Sequence, residues 1–474
     1  MSYAIIWFRR DLRLDDNPAL QAALEAGHVP IPLYIHAPDE AGEWAPGAAS
    51  SAWLHHSLAA LDQQLRQRGS RLLLRQGRSQ EVVQQLLQQT GASAVYWNRR
   101  YEPATVQRDT GIKLQLRQDG LDVRSFNASL MLEPWQLATG QGTPYRVFTP
   151  FWRNALTRLQ PPLPLPAPKQ LPPLPDDLAS EELQALQLSP ALGWDHGFWE
   201  HWQPGSDGAA ELLEAFVEGA LQGYREGRDR PDHTGTSRLS PHLHFGEISP
   251  WQIWRALEGV RCAANSADID SYQRELGWRE FAHHILHHFP ETPNHNFDKR
   301  MDHFEWAADN PELLQAWQQG RTGIPIVDAG MRELWHTGYM HNRVRMLVAS
   351  LLCKQARQHW RHGARWFWDT LVDADLANNS MGWQWVAGTG ADAAPYFRIF
   401  NPVTQAKKFD REARYISRWL PELQALPVAM RFAPWEHPQA LAELAPDYPQ
   451  RPLLDLAEGR ERALEAHSRL RGKS

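Results

Sequence analysis

The chain has 474 residues, of which 42% are hydrophobic and 22% charged, with a formal net charge of −6. These values predict a globular protein larger than one ordinary domain. No apolar run is long enough to span a bilayer, and the first residues lack the order of a signal peptide. Two cysteines, Cys262 and Cys353, exclude a disulfide framework, so we expect a cytoplasmic protein. The acidic balance does not indicate nucleic-acid binding, which needs local clusters of Lys and Arg.

The first part of the chain alternates short apolar runs with helical patterns. The predicted strands are Tyr3–Phe8, Pro32–Ile35, Arg71–Leu74, Ala94–Asn98 and Val123–Phe126. Four helices end just before a strand in a glycine that can take the left-handed conformation of a helix stop: Gly27, Gly69, Gly91 and Gly120. This alternation predicts an α/β domain with a doubly wound parallel sheet. The first turn has no GxGxxG motif, which removes the main support for NAD binding.

Eight prolines from Pro161 to Pro175 predict an extended connector, because proline is excluded from helix interiors and central strands. From residue 206 the pattern is helical, over Ala209–Gly223, Pro250–Leu257, Ser271–His288, Pro311–Gly320, Ile326–Gly338 and Val344–Trp360. We therefore predict an α/β domain over residues 1–130, a Pro-rich linker over 131–205 and a large all-α domain over 206–474.

Tryptophan is over-represented, with 22 copies, and 16 of them lie at or after Trp194. Most of these indoles are expected to pack in an aromatic-rich helical core. A few could instead form a redox wire or a platform on which bases stack, and composition alone does not choose between these roles.

Two polar segments of the helical part could bind a ligand. Gly235–Ser240 offers three hydroxyls and a cation around a glycine turn, which suits a pyrophosphate, although a plain helix cap is the commoner role. Asp373 and Asp375 are two residues apart and would not share a helix face, so a helix start is more plausible. Each could simply cap a helix or pair with Arg343 or Arg345.

Two histidine pairs, His283/His287 and His284/His288, have the i,i+4 spacing of zinc ligands. Neither pair has a third acidic or thiol ligand nearby in the sequence, so we expect no metal there.

Three longer segments carry a family resemblance: WFRRDLRLDDN (Trp7–Asn17), TGIPIVDAGMREL (Thr322–Leu334) and the stretch Asp373–Pro402. They resemble the DNA photolyase/cryptochrome family, with the closest match among the bacterial class I photolyases that repair cyclobutane pyrimidine dimers. The resemblance covers nearly the whole chain. It implies light-driven repair of these dimers by photoexcited reduced FAD, which donates an electron to a dimer flipped out of the DNA.

The resemblance also implies the FAD-binding residues. It places Asn379 at flavin N5, where an amide can both donate and accept, and it pairs Asp373 with Arg345. The implied FAD-binding set is Tyr224, Thr236, Ser237, Arg238, Leu239, Ser240, Tyr272, Arg345, Asp373, Ala374, Asp375 and Asn379. Trp306, Trp360 and Trp383 match the electron-relay tryptophans of the family and, with Glu275 and Asn379, form the implied catalytic set. Trp366 and Trp368 leave an alternative wire open.

A further set of residues is implied to bind DNA and the lesion: Arg228, Glu275, Trp278, Arg279, Asn342, Arg343, Met346, Trp385 and Gln405. Glu275 would hydrogen-bond the dimer and Trp278 would stack on it. Six-four photolyases carry a histidine where Met346 stands, so Met346 favours cyclobutane dimers. Basic residues from Arg398 to Arg418 would line the DNA side, although solvated charge is the usual role of such runs.

The second chromophore is the open part of the resemblance. Relatives that bind methenyltetrahydrofolate in the best-known bacterial manner carry an Asn-Glu pair, whereas this chain has Ala104 and Thr105. Folate in another pose, a deazaflavin, or no antenna chromophore all remain open. We expect a monomer that binds UV-damaged DNA. The alternatives are a cryptochrome-type blue-light photoreceptor and, disfavoured by Met346, a six-four photolyase.

Overall fold

A computed structural model describes residues 2–392 and 397–472 of the chain. The amino-terminal part contains a five-stranded parallel sheet in the order β3-β2-β1-β4-β5. Ile5 of the central strand lies opposite Ile31 on one side and Val95 on the other. The strands are β1 (Tyr3–Phe8), β2 (Val29–His36), β3 (Leu73–Gln76), β4 (Ala94–Asn98) and β5 (Asp122–Phe126).

Four helices connect these strands: α1 (Pro18–Glu25), α2 (Ala48–Gln67), α3 (Ser79–Thr90) and α4 (Pro103–Gln118). The four predicted helix-stop glycines all have positive φ, from 64° at Gly91 to 90° at Gly69. The chain runs from β1 outward through β2 to β3 and then crosses back to β4 on the other side of β1, so a crevice opens at the carboxyl ends of β1 and β4. The predicted α/β class and its sheet are confirmed.

The proline-rich connector contains no helix or strand between Pro161 and Pro175, as predicted. It lies along the α/β domain, because Asp16 N–H donates to the Leu165 carbonyl at 2.7 Å and Leu171 N–H donates to the Arg68 carbonyl at 2.7 Å. Leu171 is buried in the same cluster as the apolar face of α2. The connector is therefore part of the packed structure.

The rest of the described chain is almost entirely helical, which confirms the predicted all-α part. Its helices are α5 (Phe148–Arg158), α6 (Ser206–Ala215), α7 (Tyr224–Gly227), α8 (Ser240–Phe245), α9 (Pro250–Gly259), α10 (Ser266–His288), α11 (Pro311–Gln318), α12 (Pro325–Thr337), α13 (Asn342–Ser350), α14 (Trp360–Thr370), α15 (Leu376–Ala387), α16 (Pro402–Phe409), α17 (Arg414–Trp419), α18 (Pro438–Leu444) and α19 (Leu456–Gly472). Within the described residues, no helix has the length and apolar character needed to cross a membrane.

The predicted single helix over Val344–Trp360 is wrong. Helix α13 ends at Ser350 and passes into a π-helical turn, Leu351–Gln355. Arg357 then takes a positive φ of 51°, and His359 begins α14 by accepting a hydrogen bond from the Arg361 N–H. Apolar spacing continues across the break, which is why the sequence pattern did not reveal it. The predicted helix Ala209–Gly223 likewise becomes a π turn after Ala215.

The two parts of the molecule meet in a tightly packed seam. Gly246 has a φ of 65°, and a Cβ there would lie 2.1 Å from the Arg10 carbonyl oxygen, so only glycine fits. Leu12 N–H donates to the Phe245 carbonyl, and buried Arg13 donates to the carbonyls of Gly246 and Ala128. The WFRRDLR segment thus fixes the sheet against the helical body.

Candidate functional site

Several predicted FAD-binding residues converge on one region of the helical body. Asp373 accepts hydrogen bonds at the same carboxylate oxygen from Ser240, at 2.6 Å, and from Arg345, at 2.8 Å. The Ser237 and Tyr272 hydroxyls are 2.7 Å apart, and the ring of Tyr272 lies 5.2 Å from that of Tyr224. The structure therefore brings together the glycine-turn segment, α10, α13 and the Asp-x-Asp segment, and the predicted Asp373–Arg345 pair is present.

Asp373 has polar capacity that the described protein does not use. Its side chain is only 4% exposed, and its second oxygen, Oδ1, has no hydrogen-bond partner among the described residues. The hydroxyl of Ser380 on α15 is likewise buried and unpaired within the described part. Buried polar atoms are rarely left unsatisfied. A ligand rich in hydroxyl and N–H groups, such as FAD, fits these residues.

Asp375 is the N-cap of α15, as the spacing suggested, and accepts the Asn378 N–H at 2.8 Å. Its other oxygen lies 3.5 Å from His283 Nε2, and His283 Nδ1 is 3.0 Å from the Arg279 carbonyl. Burial alone would lower the pKa of His283, but Asp375 outweighs it and the pKa is raised. Burial alone would raise the pKa of Asp375, but His283 drives it well below its usual value. The two side chains form a buried ion pair.

This ion pair predicts a pH-dependent stability. The lowered pKa of Asp375 makes its contribution complete above its ordinary value of 3.8, and the contribution is lost as the pH falls further. The raised pKa of His283 makes its contribution complete below 6.5, and the contribution is lost as the pH rises through the raised value. Replacing His283 by asparagine should therefore lower the free energy of unfolding most between these limits and less at alkaline pH. Urea unfolding at several pH values measures this, and a pH-independent difference would contradict it.

The histidine pairs serve packing within the described part of the chain. His284 Nδ1 is 3.1 Å from the Pro134 carbonyl, and its Nε2 accepts the Tyr145 N–H at 3.0 Å. His288 also contacts the Pro134 carbonyl, at 3.2 Å. Because both ring nitrogens of His283 and of His284 already have partners, neither i,i+4 pair is arranged as a metal site.

Asn379 is held in a fixed orientation. Its Nδ2 donates to the Ala364 carbonyl on α14 at 2.9 Å. One N–H is thereby used, and the amide oxygen and the second N–H are left for a ligand. The backbone of α14 therefore sets which face of this amide a bound flavin would meet.

The side chain of Arg238 packs on aromatic rings, unlike the neighbouring hydroxyls of the Gly235–Ser240 segment. Arg238 has a positive φ of 56°, and its guanidinium lies 4.1 Å from the ring centre of Trp202 and 5.7 Å from that of Tyr339. Burial lowers its pKa. Its cation is thus stacked on aromatic rings, so the backbone and hydroxyls of the segment are the groups left to meet a pyrophosphate.

The predicted lesion-binding residues form a rim beside this region. Arg228 forms an ion pair with Glu275, and Arg343 pairs with Asp229 and contacts the sulfur of Met346. Arg279 is placed elsewhere, since it donates to the Ser129 carbonyl at 2.6 Å and lies 3.5 Å from Glu280. Of the other predicted lesion-binding residues, Asn342 is exposed, and Trp385 and Gln405 are partly buried.

Trp278 is supported by a residue that the sequence analysis missed. The ring of Phe148, at the start of α5, stacks on Trp278 with centroids 3.7 Å apart and planes at 8°. The guanidinium of Arg274 covers Phe148 at 4.6 Å. One face of the indole is therefore occupied by protein. Phe148 begins the segment Phe148–Phe151, with the sequence FTPF. Nothing in the spacing of these residues along the chain indicated a contact with α10.

Two of the three tryptophans predicted to relay electrons, Trp306 and Trp360, are linked through a histidine. Trp306 is 4.9 Å from the ring of His359, which is 5.7 Å from that of Trp360. Trp360 is fully buried and donates to Asn296 Oδ1 at 2.9 Å. Trp383 packs on α14 so closely that a Cβ at Gly363 would lie 2.0 Å from its ring. His359, missed from the sequence, completes the contact between the outer two indoles.

Trp366 and Trp368 point to other neighbours. Trp366 stacks at 6.0 Å on Trp335, which stacks at 4.9 Å on Trp194. Trp368 contacts Trp44 edge-on at 5.4 Å. The alternative wire therefore stays a hypothesis, because the two indoles lie two residues apart on α14 and contact separate neighbours.

A separate cavity of about 320 Å³ lies at the carboxyl ends of β1, β2 and β4. Glu102 at its wall bonds Arg10 at 3.1 Å and Arg100 at 2.7 Å. Burial alone would raise the pKa of Glu102, but these two arginines hold it well below its usual value. Thr105, predicted as an antenna position, also lines this cavity, as do Trp368 and Leu376 from the helical body. It is a largely apolar crevice with a charged group at its wall, at the sheet's topological switch point.

Comparisons with known proteins agree with this architecture. A family model described as the FAD binding domain of DNA photolyase matches residues 272–469, and one described as DNA photolyase matches residues 4–169. The chain is 47% identical over 470 residues to a deoxyribodipyrimidine photo-lyase of Agrobacterium fabrum, which covers 98% of this chain and 97% of the relative. It is 38% identical to Cryptochrome-1 of Arabidopsis thaliana, over 98% of this chain and 70% of that protein.

Solved structures show the same likeness. A bacterial class III photolyase from Agrobacterium tumefaciens matches with a TM-score of 0.95 and 46% identity, over 100% of this chain and 98% of that one. An archaeal photolyase from Sulfolobus tokodaii, solved with two FAD molecules, matches with a TM-score of 0.82 and 30% identity, over 98% and 99%.

The chain therefore belongs to the DNA photolyase/cryptochrome family. It carries the family's FAD-binding domain, and relatives matched over nearly its whole length are enzymes named as photolyases.

Proposed function

We propose that this protein repairs cyclobutane pyrimidine dimers in DNA in a light-dependent reaction with FAD. The observation that carries the proposal is a set of side chains beside the predicted FAD-binding residues. Arg228 pairs with Glu275 and lies 5.7 Å from the ring of Tyr224. Trp278, stacked on Phe148, is one turn beyond Glu275 on α10, and the apolar Met346 follows Arg345 on α13. When bound and reduced, FAD supplies under blue light the electron that splits the dimer and then returns. The remaining roles belong to the chain's own residues.

The cofactor would be held by groups that differ in chemistry. Ser237, Ser240 and the backbone between them offer donors for a pyrophosphate. Asp373, fixed by Arg345, presents its unpaired Oδ1, and the oriented amide of Asn379 presents an acceptor and a donor. These residues bind and orient the cofactor, and packing of α14 against α15 limits the access of water.

The lesion would be held at the rim. An extrahelical dimer could stack on the free face of Trp278, because Phe148 already covers the other face. Glu275 would be released from Arg228 or shared with it, so that it hydrogen-bonds the bases while the guanidinium meets the phosphate backbone. Met346 provides an apolar wall without a proton donor, which suits a cyclobutane dimer rather than a six-four lesion.

For the second chromophore we propose the cavity at the carboxyl ends of the sheet strands. Its volume of about 320 Å³ and its buried Arg10–Glu102–Arg100 group suit a polar aromatic molecule, either a folate or a deazaflavin. The S. tokodaii photolyase was solved with two FAD molecules, which implied a novel light-harvesting cofactor in that protein.

The subclass within the family is a finer proposal. The sequence resemblance favoured class I, whereas the Agrobacterium tumefaciens structure that matches with a TM-score of 0.95 is a class III photolyase. That likeness favours class III. A cryptochrome-type photoreceptor is the second candidate, supported by the 38% identity to Cryptochrome-1. We also propose that the protein is a monomer in the cytoplasm. We propose that its α/β domain ends at residue 130 and its all-α domain begins after residue 205.

Repair assays separate these functions. The FAD-loaded, chemically reduced protein should restore oligonucleotides containing a thymine dimer under blue light, with no restoration in the dark, and should leave six-four lesions unchanged. Binding should favour dimer-containing over undamaged duplex and weaken as salt rises. No dimer repair by fully reduced protein would favour the photoreceptor, and repair of six-four lesions would overturn the role of Met346.

A second expectation concerns the relay. Trp306→Phe should reduce photoreduction of the oxidised cofactor to a small fraction of the parent rate, because phenylalanine is far harder to oxidise than tryptophan. Repair by protein reduced chemically beforehand should be unchanged, because that reaction does not use the outer indole. Trp335→Phe, in the other stack, is the matched control and should photoreduce normally. Loss of photoreduction in Trp335→Phe but not in Trp306→Phe would assign the wire to the Trp366 side, and equal loss in both would show that Trp306 has no specific role.

A further inference from the structure

A cluster of three potential metal ligands lies on the surface between the 3-10 helix Trp194–Glu200 and helix α12. Glu200 is the last residue of the 3-10 helix Trp194–Glu200, and His201 is its C-cap. His336 occupies the last turn of α12. All three are exposed, and one ligand atom from each lies within 4.8 Å of the others. Spacing along the chain does not indicate this group, because His336 follows His201 by 135 positions.

The backbones that carry the three side chains are fixed against each other. A Cβ at Gly197 would lie 2.4 Å from the His336 carbonyl oxygen, so only glycine allows this approach. Trp194 stacks on Trp335, and Trp202 Nε1 donates to the Thr337 carbonyl at 2.8 Å. These contacts flank the cluster on both sides, so much of the entropy cost of bringing ligands together is already met by the fold.

The ligand atoms are also free to coordinate. Across residues 2–392 and 397–472, neither Glu200 nor His201 nor His336 makes a side-chain hydrogen bond or ion pair with another residue. The carboxyl end of α12 carries partial negative charge, which favours a cation beside His336.

We propose that Glu200, His201 and His336 bind a divalent transition-metal ion of the Zn²⁺ type and so hold the 3-10 helix Trp194–Glu200 against α12. Two imidazoles and one carboxylate form a zinc ligand set that leaves a fourth position for water. Two ligands of one tetrahedral zinc lie about 3.3 Å apart, given metal–ligand distances of about 2.0–2.1 Å. Small rotations of these exposed side chains close the remaining gap.

Zinc binding to tag-free, FAD-loaded protein tests the proposal. Calorimetric titration with Zn²⁺ should give one ion per chain, and the midpoint of thermal unfolding should rise with zinc concentration. His336→Ala and Glu200→Gln should each weaken this binding at least about tenfold, since even outer-shell changes commonly cost 10–100-fold. Both sites are exposed, so the variants should retain the parent's FAD content.

The matched control is His196→Ala, which removes an exposed histidine of the same segment outside the cluster. It should bind zinc as the parent does. The proposal is overturned if the parent binds no zinc at a one-to-one ratio, or if His336→Ala and Glu200→Gln bind it as tightly as the control. A dimer-repair assay is not needed for either result, so the outcome is independent of the proposed repair function.

Discussion

Replacing Arg345 by alanine is expected to yield a folded protein that is purified nearly without FAD. Arg345 fixes Asp373 at 2.8 Å, and Asp373 in turn holds Ser240 of the glycine-turn segment. Without the guanidinium, a carboxylate that is only 4% exposed loses its charged partner. Breaking buried pairs costs about 3–5 kcal/mol, and we expect the lower end because Arg345 itself is 24% exposed. The ratio of flavin to protein absorbance measures the loss.

The neighbouring arginine provides the matched control. Arg343 lies on the same helix and also pairs with an aspartate, Asp229, but at the rim. Arg343→Ala should keep the parent's FAD content and bind dimer-containing DNA more weakly. Purification of Arg345→Ala with a full complement of FAD would show that the Asp373 group does not hold the cofactor.

Replacing Trp278 by alanine is expected to weaken binding of dimer-containing oligonucleotides by about 10–100-fold. Stacking of a base on an aromatic side chain contributes about 1–3 kcal/mol, and the free face of this indole is the stacking surface in our proposal. FAD content should stay at the parent level, because Trp278 makes none of the contacts that surround Asp373. Fluorescence anisotropy with labelled duplexes measures the affinity.

Two further variants sharpen this test. Phe148→Leu removes the ring behind Trp278 but keeps an apolar side chain, so it should weaken dimer binding less than Trp278→Ala does. Trp251→Ala alters a partly buried indole on α9 and should leave dimer binding unchanged. Equal affinity of the parent and Trp278→Ala for dimer-containing DNA would remove Trp278 from the lesion site.

The sequence predicted those features that depend on local pattern. Apolar runs and helix-stop glycines indicated all five strands, although β3 (Leu73–Gln76) begins two residues later than the predicted Arg71–Leu74, and clustered prolines located the connector. The Asp-x-Asp spacing correctly indicated that Asp375 begins a helix. In each case the physical cause acts within a few residues, through backbone conformation or side-chain alternation.

The features that escaped prediction depend on contacts between distant segments. The break at Arg357 interrupts a helix whose apolar spacing continues, and His359 enters the aromatic series only because α14 begins there. The stack of Phe148 on Trp278 joins α5 to α10, and the ion pair of His283 with Asp375 joins α10 to α15. Spacing along the chain carries no signal of such pairs.

Gly246, at the seam between the sheet and the helical body, helps to fix the distance and the angle between two bound chromophores. Because Gly246 lies against the Arg10 carbonyl with no space for even a methyl group, and Trp53 donates across the seam to Glu247 at 3.0 Å, the sheet cannot slide relative to the helical body. Dipole–dipole energy transfer depends steeply on separation and on the angle between transition dipoles. For any chromophore bound at the edge of the sheet, both quantities are therefore set when the chain folds.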